Sequence, residues 1–379
     1  MRNGISQVAL HQVLPSFRPG DDGIGNHVLL LQDILRTSGV KSEIFAESIS
    51  ASGLGLARSF DLVFEEEADP DVSFLYHHSS GSPVADWFSR TPARGTLWFH
   101  NVTPPHFFQP WDQRATVSMA SGLRQLHELA RRASLSIAHS QYSARALYEA
   151  GAPKVAVIPP LIDFQRLAGC EKATLAVLSE RKRSGGIDLL FVGRIAPHKA
   201  QHDLIRCLAQ IRRSWDPHAR LTLVGWIYSQ RYMDSLRTLC RDEGVGEAVC
   251  FAGAVSDDVL AAHYAAADVF LSLSQHEGFG IPLVESMHSA VPVIAHENSA
   301  IGETLGGAGL LLSSREPQEV SNAVREVVTH PRRQQHMIRL GKRRAQGFSM
   351  TRTRQAVVTT LLPHSGRAFA RGRPAKSRT

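Results

Sequence analysis

Short apolar runs alternate with helix-length amphipathic segments along most of this chain, and the alternation starts twice. The first series is VALHQVL (8–14), SEIFA (42–46), VSFLYHH (72–78), TLWFHN (96–101), LSIAHS (135–140) and VAVIPP (155–160). The second is DLLFVGR (188–194), LTLVGW (221–226), VCFAGAV (249–255), DVFLSLS (268–274), PVIAH (292–296) and GLLLS (309–313). Strands separated by helical segments build parallel sheets through βαβ units. The expected fold class is α/β, with two Rossmann-like, doubly wound parallel-sheet domains facing each other across a cleft, where ligands of such sheets bind.

A chain of 379 residues has the length for two such domains. The pattern places an N-terminal domain over 1–166, an interdomain connection over 167–187, a C-terminal domain over 188–345, a helix over 346–363 and a basic tail over 364–379. In NHVLLLQDILRTSG (26–39), Val28, Leu31, Ile34 and Leu35 share one face, so this is a core helix, and Gly39 stands where a helix stop belongs. No period of 20 to 50 residues repeats, which argues against a solenoid.

Composition removes several classes. A hydrophobic fraction of 43% with 20% charged residues does not describe a disordered, collagen-like or coiled-coil chain. No apolar run approaches the roughly 18 residues of a membrane helix. MRNGISQVALHQVLP has no signal-peptide core, so a cytoplasmic location is expected. Cys170, Cys207, Cys240 and Cys250 form no CxxC pair, and they read as buried thiols. Charge is uneven: residues 331–379 hold 13 Lys or Arg and no acid, against 29 cations and 35 acids in 1–330. A solvated helix face with a loose tail, an anionic lipid surface and nucleic acid all fit such a block.

The most informative window is SQHEGFGIPLVES (274–286). A strand ends, a glycine-containing turn follows, and a helix starts near Pro282, a residue suited to the first helical position. Helix amides and dipole there favour an anion such as a diphosphate. Glu277 sits on the turn and Glu285 one helical turn after Pro282, so both carboxylates can face one ligand, one toward a sugar hydroxyl and one toward a ribose. The plain readings are a loop charge and a solvated helix residue. In FVGRIAPHKAQHDLI (191–205), a strand ends at Gly193, and Arg194 and Lys199 flank a Pro-containing turn where two cations can neutralise a leaving diphosphate. The spacing is not that of a Walker loop.

EGFGIPLVE (277–285) has a Glu-x7-Glu form. With GRIAPHKAQ, FAGAV, ADVFLSLS and PVIAH it resembles the retaining glycosyltransferases of the large GT4-type family, which have the GT-B fold. The resemblance runs over 188–313. GDDGIGNHVLLLQDILRTSGVKSEIF (20–45) is similar to that family's N-terminal glycine turn and first helix, with Asp22 where one of two glycines is usual. VIPPLID (157–163) is similar to a Val-Ile-Pro-Asn-Gly-Val-Asp segment, with Pro160 and Leu161 in place of the turn pair.

The resemblance implies roles residue by residue. Arg194 and Lys199 bind the donor diphosphate, Glu277 holds donor-sugar hydroxyls, Glu285 approaches the ribose, and His100 approaches the transferred sugar. Gly23, Gly25, Gly193, Gly225, Val255, Phe279, Gly280 and Ile281 line the donor site, with backbone amides offered at Phe279 and Gly280. It further implies an acceptor-side first domain, a last helix that crosses back to it, no cofactor, no metal, and a nucleotide-sugar donor with GDP-mannose or a related GDP-sugar ahead of a UDP-sugar. The expected acceptor is a glycan or lipid-linked saccharide at a hydroxyl, and the basic C-terminus is a candidate for peripheral contact with an anionic membrane, with no nucleic acid expected.

Three spellings point elsewhere. Asp69-Pro70-Asp71 spells a metal-binding DxD but ends an acidic loop. His100 and His106 bracket Pro104 and Pro105, which excludes a shared helix face for a zinc pair. YHHSSGSP (76–83) is either an ordinary turn or part of the acceptor or sugar pocket. The rival functions are a sugar-nucleotide epimerase of the same fold and a non-catalytic nucleic-acid-binding protein using the basic C-terminus.

Overall fold

The computed structural model describes residues 8–20, 22–183 and 185–362; the expected tail over 364–379 lies outside them. The first sheet holds β1 (Ala9–Phe17), β2 (Ile44–Ile49), β3 (Arg58–Ser59), β4 (Val72–His78), β5 (Arg94–Phe99), β6 (Leu135–Ala138) and β7 (Val155–Val157). The second holds β8 (Asp188–Val192), β9 (Arg220–Val224), β10 (Val249–Gly253), β11 (Val269–Ser272), β12 (Val293–His296) and β13 (Leu310–Leu312). Their spatial orders are β3-β2-β1-β4-β5-β6-β7 and β10-β9-β8-β11-β12-β13, and each pairing is parallel. The fold is the expected pair of doubly wound α/β domains. Strand order reverses between β1 and β4 and between β8 and β11, the switch points at which such sheets open a ligand crevice.

Alternation along the strands builds a core on both faces of each sheet. In β4, Phe74 and Tyr76 meet Val84, Phe88 and Leu129, while Leu75 turns to Leu31, Ile34 and Leu35 of α1 (Gly23–Thr37). In β8, Leu189 and Phe191 pack against Leu204 and Leu208, and Leu190 packs toward Leu283 and Val284. Each fully buried Leu or Phe contributes about 1.5–3 kcal/mol. α1 starts at Asp22, whose carboxylate accepts the Gly25 amide at 2.7 Å. It stops before Gly39, where φ is +83°.

The segment read as the interdomain connection contains a helix, α2 (Lys172–Arg183), packed on α3 (Asp257–Ala266) of the second domain. Lys182 Nζ reaches Asp268 Oδ1 at 2.7 Å, and the Glu171 amide donates to the Asp258 carbonyl at 3.0 Å. Strong helix formers build α2, but Leu178 is its one buried apolar side chain in the described part, so its periodic signal is weak. Later, α4 (Ile281–His288) follows β11, and α5 (Met350–Leu361) returns to the first domain, burying Val357 against Leu10, Leu31 and Trp98.

Cys207 and Cys240 are buried and Cys250 half-buried, whereas Cys170 is exposed in the polar turn before α2, contrary to the reading of four buried thiols. Among the described residues, no helix is long and apolar enough to cross a membrane.

Candidate functional site

The second switch point brings the end of β8 beside the end of β11. After β11 the chain turns through Glu277–Gly280, with Gly280 at φ +88°, and enters α4 with Pro282 in its first turn. Among the described residues, the amides of Phe279, Gly280 and Ile281 have no protein acceptor. The turn is pressed against the first domain: a Cβ on Gly278 would lie 2.8 Å from Asn101 Cβ, and the Ser140 hydroxyl donates to the Gly278 carbonyl at 2.8 Å. Ile281 Cδ1 lies 3.3 Å from where a Cβ on Gly23 would stand, so the N-termini of α1 and α4 meet at the cleft.

Gly193 and Gly225 permit close approach of the turns that follow β8 and β9. A Cβ on Gly225 would lie 2.1 Å from the Gly193 carbonyl oxygen. Their own amides donate along the sheet, Gly193 to Val224 and Gly225 to Gly253, both at 2.8 Å. They shape the wall and leave anion contacts to others. Val255, after β10, packs at the edge of the same core.

Arg194 faces the rings of Trp226 and Tyr228, with its guanidinium carbon 5.9 and 5.7 Å from their centroids. Lys199 Nζ lies 2.6 Å from Glu277 Oε1. Burial lowers the Lys199 pKa, Glu277 raises it and Arg194 lowers it, with burial prevailing. The Glu277 amide donates to Ser299 Oγ at 2.8 Å, which fixes the turn from the β12 side. Lys199 and Glu277 are thus in contact, and Arg194 is near enough for its charge to act on Lys199, beside two aromatic rings.

Glu285 is not a solvated helix residue. It is 2% exposed, accepts the Tyr264 hydroxyl at 3.0 Å and is ion-paired with Arg166, which also pairs with Asp257. Burial, with Glu285 beside it, drives the Tyr264 phenol well above its ordinary range. Both carboxylate oxygens of Glu285 are engaged inside the protein, whereas Glu277 lies at the cleft.

On the first domain, Asp22 Oδ1 holds the amide of Gly25, one of the glycines that the resemblance places along the donor site. Gly25 itself is required by packing, since a Cβ there would lie 2.6 Å from the Arg18 carbonyl. Burial raises the Asp22 pKa, against the pull of the Gly25 amide and Arg194. His100 follows β5 and has both ring nitrogens engaged: Nε2 with His77 Nδ1 at 2.8 Å and Nδ1 with His139 Nε2 at 3.1 Å. Burial and its histidine neighbours hold its pKa well below the ordinary range.

The remaining spellings settle into structure. Asp69 Oδ1 accepts the Asp71 amide at 2.9 Å in the turn before β4. His106 is exposed on the short 3-10 turn Pro105–Phe107, its ring against Phe107. Gly81 and Ser82 of the YHHSSGSP loop border a shallow groove of about 540 Å³ with Arg114, Ser118 and Gln125.

Asp22 entered only as a departure from a usual glycine, and the motifs did not single out Arg166, Tyr264, His27, His77 or His139. A signal existed for the last two: FLYHH, LWFH and SIAH each end a parallel strand of one sheet with histidine, which places those histidines side by side. Phe108 and Trp111, from the loop after β5, also reach across to Tyr228 and Tyr232 of the second domain.

A family model described as Glycosyl transferases group 1 matches residues 178–344. A GDP-mannose-dependent alpha-(1-6)-phosphatidylinositol monomannoside mannosyltransferase of Mycolicibacterium smegmatis is 30% identical over 303 residues, 73% of this chain and 78% of the relative. A D-inositol 3-phosphate glycosyltransferase of Kineococcus radiotolerans is 32% identical over 232 residues, covering 56% of this chain. The match spans about half of that relative, 52% of its length. Among solved structures, HepE of Anabaena, in complex with UDP and glucose, aligns with a TM-score of 0.69 at 22% identity, over 93% of this chain and 99% of that one. Sucrose-phosphate synthase of Thermosynechococcus elongatus aligns with a TM-score of 0.73 at 17% identity, over 96% and 100%. At these identities the two structures show the fold, which is shared along nearly the whole chain.

Proposed function

This chain belongs to the group 1 glycosyltransferases, and we propose that it moves a sugar from a nucleoside-diphosphate donor to an acceptor hydroxyl with retention of configuration. The observation that carries this reading is the grouping of Arg194, Lys199 and Glu277 at the α4 N-terminus. A diphosphate there meets the amides of Phe279, Gly280 and Ile281 together with two cations, and such preorganised donors act where charge develops as the sugar–oxygen bond breaks. Glu277 accepts hydroxyls of the sugar, and the departing diphosphate takes the acceptor proton on the same face. Arg194 and Lys199 stabilise that departing charge in a reaction that needs neither metal nor cofactor.

The favoured donor is GDP-mannose or a related GDP-sugar, which the relative named for GDP-mannose supports. The relative named for a phosphatidylinositol monomannoside supports a lipid-linked saccharide acceptor. The cations of 364–379 suit peripheral contact with an anionic membrane bearing it. Glu285 reaches a ribose only if Arg166 yields it, so we assign its part to holding α4 in place for the nucleotide.

A thermal-shift panel of GDP-, UDP- and ADP-sugars tests the reading. A donor at 100 times its Kd stabilises the fold by about 2.7 kcal/mol. GDP-mannose is expected to raise the Tm most, and turnover with an added acceptor to give the retained anomer by NMR. A larger shift with UDP-sugars reassigns the base, product without acceptor favours an epimerase, and no shift with any of them removes the proposal.

A further inference from the structure

We propose that His27, His100 and His139 form a binding site for one divalent transition-metal ion of zinc-like preference in the first domain. The three side chains come from α1 and from the residues that follow β5 and β6, and one ring nitrogen from each lies within 4.8 Å of the others. Their rings stand edge to face, with centroids 5.4, 5.2 and 4.9 Å apart and interplanar angles of 77°, 82° and 60°. Four-coordinate zinc takes imidazole nitrogens at about 2.0–2.1 Å, so a modest inward movement of the rings completes three positions.

The hydrogen-bond count shows why a cation suits this place. His139 Nδ1 faces the Ile158 carbonyl at 3.1 Å, and His77 Nε2 faces Gln12 Oε1 at 3.0 Å. Gln12 is fixed in that orientation because its amide nitrogen donates to the Val28 carbonyl at 3.1 Å. Between these two acceptors run the His139–His100 and His100–His77 contacts, at 3.1 and 2.8 Å. Four contacts each need one hydrogen, but three neutral imidazoles carry three. One pair of lone pairs must therefore face each other. Burial away from water disfavours the imidazolium that would otherwise supply the fourth hydrogen.

A cation between His100 Nδ1 and His139 Nε2 removes the deficit. His139 Nδ1–H then donates to Ile158, His100 Nε2–H to His77, and His77 Nε2–H to Gln12, which is the outer-shell pattern that orients metal-bound histidines. His27, 2% exposed, has in the same cluster a buried Nε2 without a hydrogen-bond partner among the described residues. Ligation through Nε2 places the ring proton on Nδ1, opposite the Leu161 amide at 3.3 Å, so that contact has to open as the ion enters. His100 is the one partly exposed member of the trio, which leaves the fourth position on the cleft side for water or another oxygen ligand.

The test uses the full chain after dialysis against chelator, titrated with Co2+ alone. One equivalent is expected to give the visible absorption of tetrahedral Co2+, which Zn2+ displaces. His27→Gln and His139→Gln should each weaken uptake by more than tenfold. His77→Gln, which alters only an outer-shell partner, should weaken it about ten- to hundredfold, while His336→Gln, at an exposed position of the helix Pro331–Gln346, leaves it unchanged. Absence of one-equivalent uptake by the parent overturns the proposal, as does undiminished uptake by the His27 and His139 variants. If those variants fail to fold, crystals of the parent grown with Zn2+ decide: an anomalous peak at the zinc edge among the three rings supports the site, and none there overturns it.

Discussion

Lys199 Nζ sits 2.6 Å from Glu277 Oε1, so the cation assigned to the diphosphate and the carboxylate assigned to the sugar hold each other before a donor arrives. A donor must enter between them or share both. Lys199→Ala and Arg194→Ala are each expected to weaken nucleoside-diphosphate binding by about 1.5–3 kcal/mol, the worth of a charge-assisted hydrogen bond. Glu277→Gln should abolish most turnover without weakening the nucleoside diphosphate, because it removes the competitor for Lys199. Calorimetric titration of GDP and UDP checks both, and a Glu277→Gln variant that loses affinity as Lys199→Ala does would merge the two roles.

Lys199 also sets an alkaline limit. Burial lowers its pKa below the ordinary 10.5, although Glu277 opposes the shift. The ammonium is therefore lost at a pH below that of a free lysine, and diphosphate affinity should fall as pH rises through this lowered value. Lys199→Arg, whose guanidinium stays charged, should keep its affinity across the same range. The sign for stability is opposite. Between the lowered folded value and the ordinary one, the unfolded chain binds the extra proton, so this group makes the fold more stable as pH rises. Titrating GDP from pH 7 to 10 against both proteins tests the binding half, and parallel curves would show that another group titrates.

Acid is expected to destabilise the fold through histidines outside the candidate metal cluster. Burial pushes His78 and His276 down to about 4, against about 6.5 for a free histidine. Their contribution is full above about pH 6.5 and is lost as pH falls toward the folded value, because the unfolded chain takes protons that the fold refuses. Each costs roughly 1.4 kcal/mol per pH unit within that window. Urea midpoints from pH 7 to 5 should fall, and less steeply in His78→Gln. An equal slope in the variant would place the acid sensitivity elsewhere.

Removing Arg166 should be among the most damaging single changes distant from the diphosphate. Glu285 is buried, and without Arg166 its charge keeps only the Tyr264 hydroxyl. Breaking one partner of such a pair costs about 3–5 kcal/mol. Arg166→Met is expected to lower the Tm, and adding Glu285→Gln should recover part of the loss by removing the orphaned charge. A double variant less stable than Arg166→Met would show that the pair is not the source.

The two sheets and the Arg194, Lys199, Glu277 group were legible because short apolar runs between helix-length segments, and short strand-to-helix turns, are local patterns. The helix over 172–183 was not, since its packing on α3 rests on few apolar contacts. Glu285 was legible as a position but not as an environment: Arg166 is 119 residues away, and only the tertiary fold brings it close. The histidine chain depends on register, with His77 opposite Trp98 and Ala138 opposite Phe99 across neighbouring strands. Histidine at three successive strand ends was visible, but strand order turns that repetition into contact.

Asp22 occupies a turn where the related sequences suggested a glycine, and its carboxylate takes the amide of Gly25 at the N-terminus of α1. A negative charge there satisfies the helix, yet it also faces the place where a diphosphate is proposed to bind, and burial already raises its pKa. Arg194 lies near enough to offset part of this charge, so Asp22 draws on a cation that the donor needs. Asp22→Asn keeps an oxygen in place for the Gly25 amide and ranks equally well as a helix cap, so stability should change by less than about 0.5 kcal/mol. The charge is gone, and at an effective dielectric near 20 its removal should favour a diphosphate by roughly 1 kcal/mol, or several-fold in Kd. Asp22→Ala loses the cap as well and should cost about 1 kcal/mol of stability. Calorimetric Kd values for GDP and UDP, measured at low and high salt, separate these effects: the gain in Asp22→Asn should shrink as salt screens the charge. Unchanged affinity in Asp22→Asn would place the diphosphate away from the α1 N-terminus, on the α4 side alone.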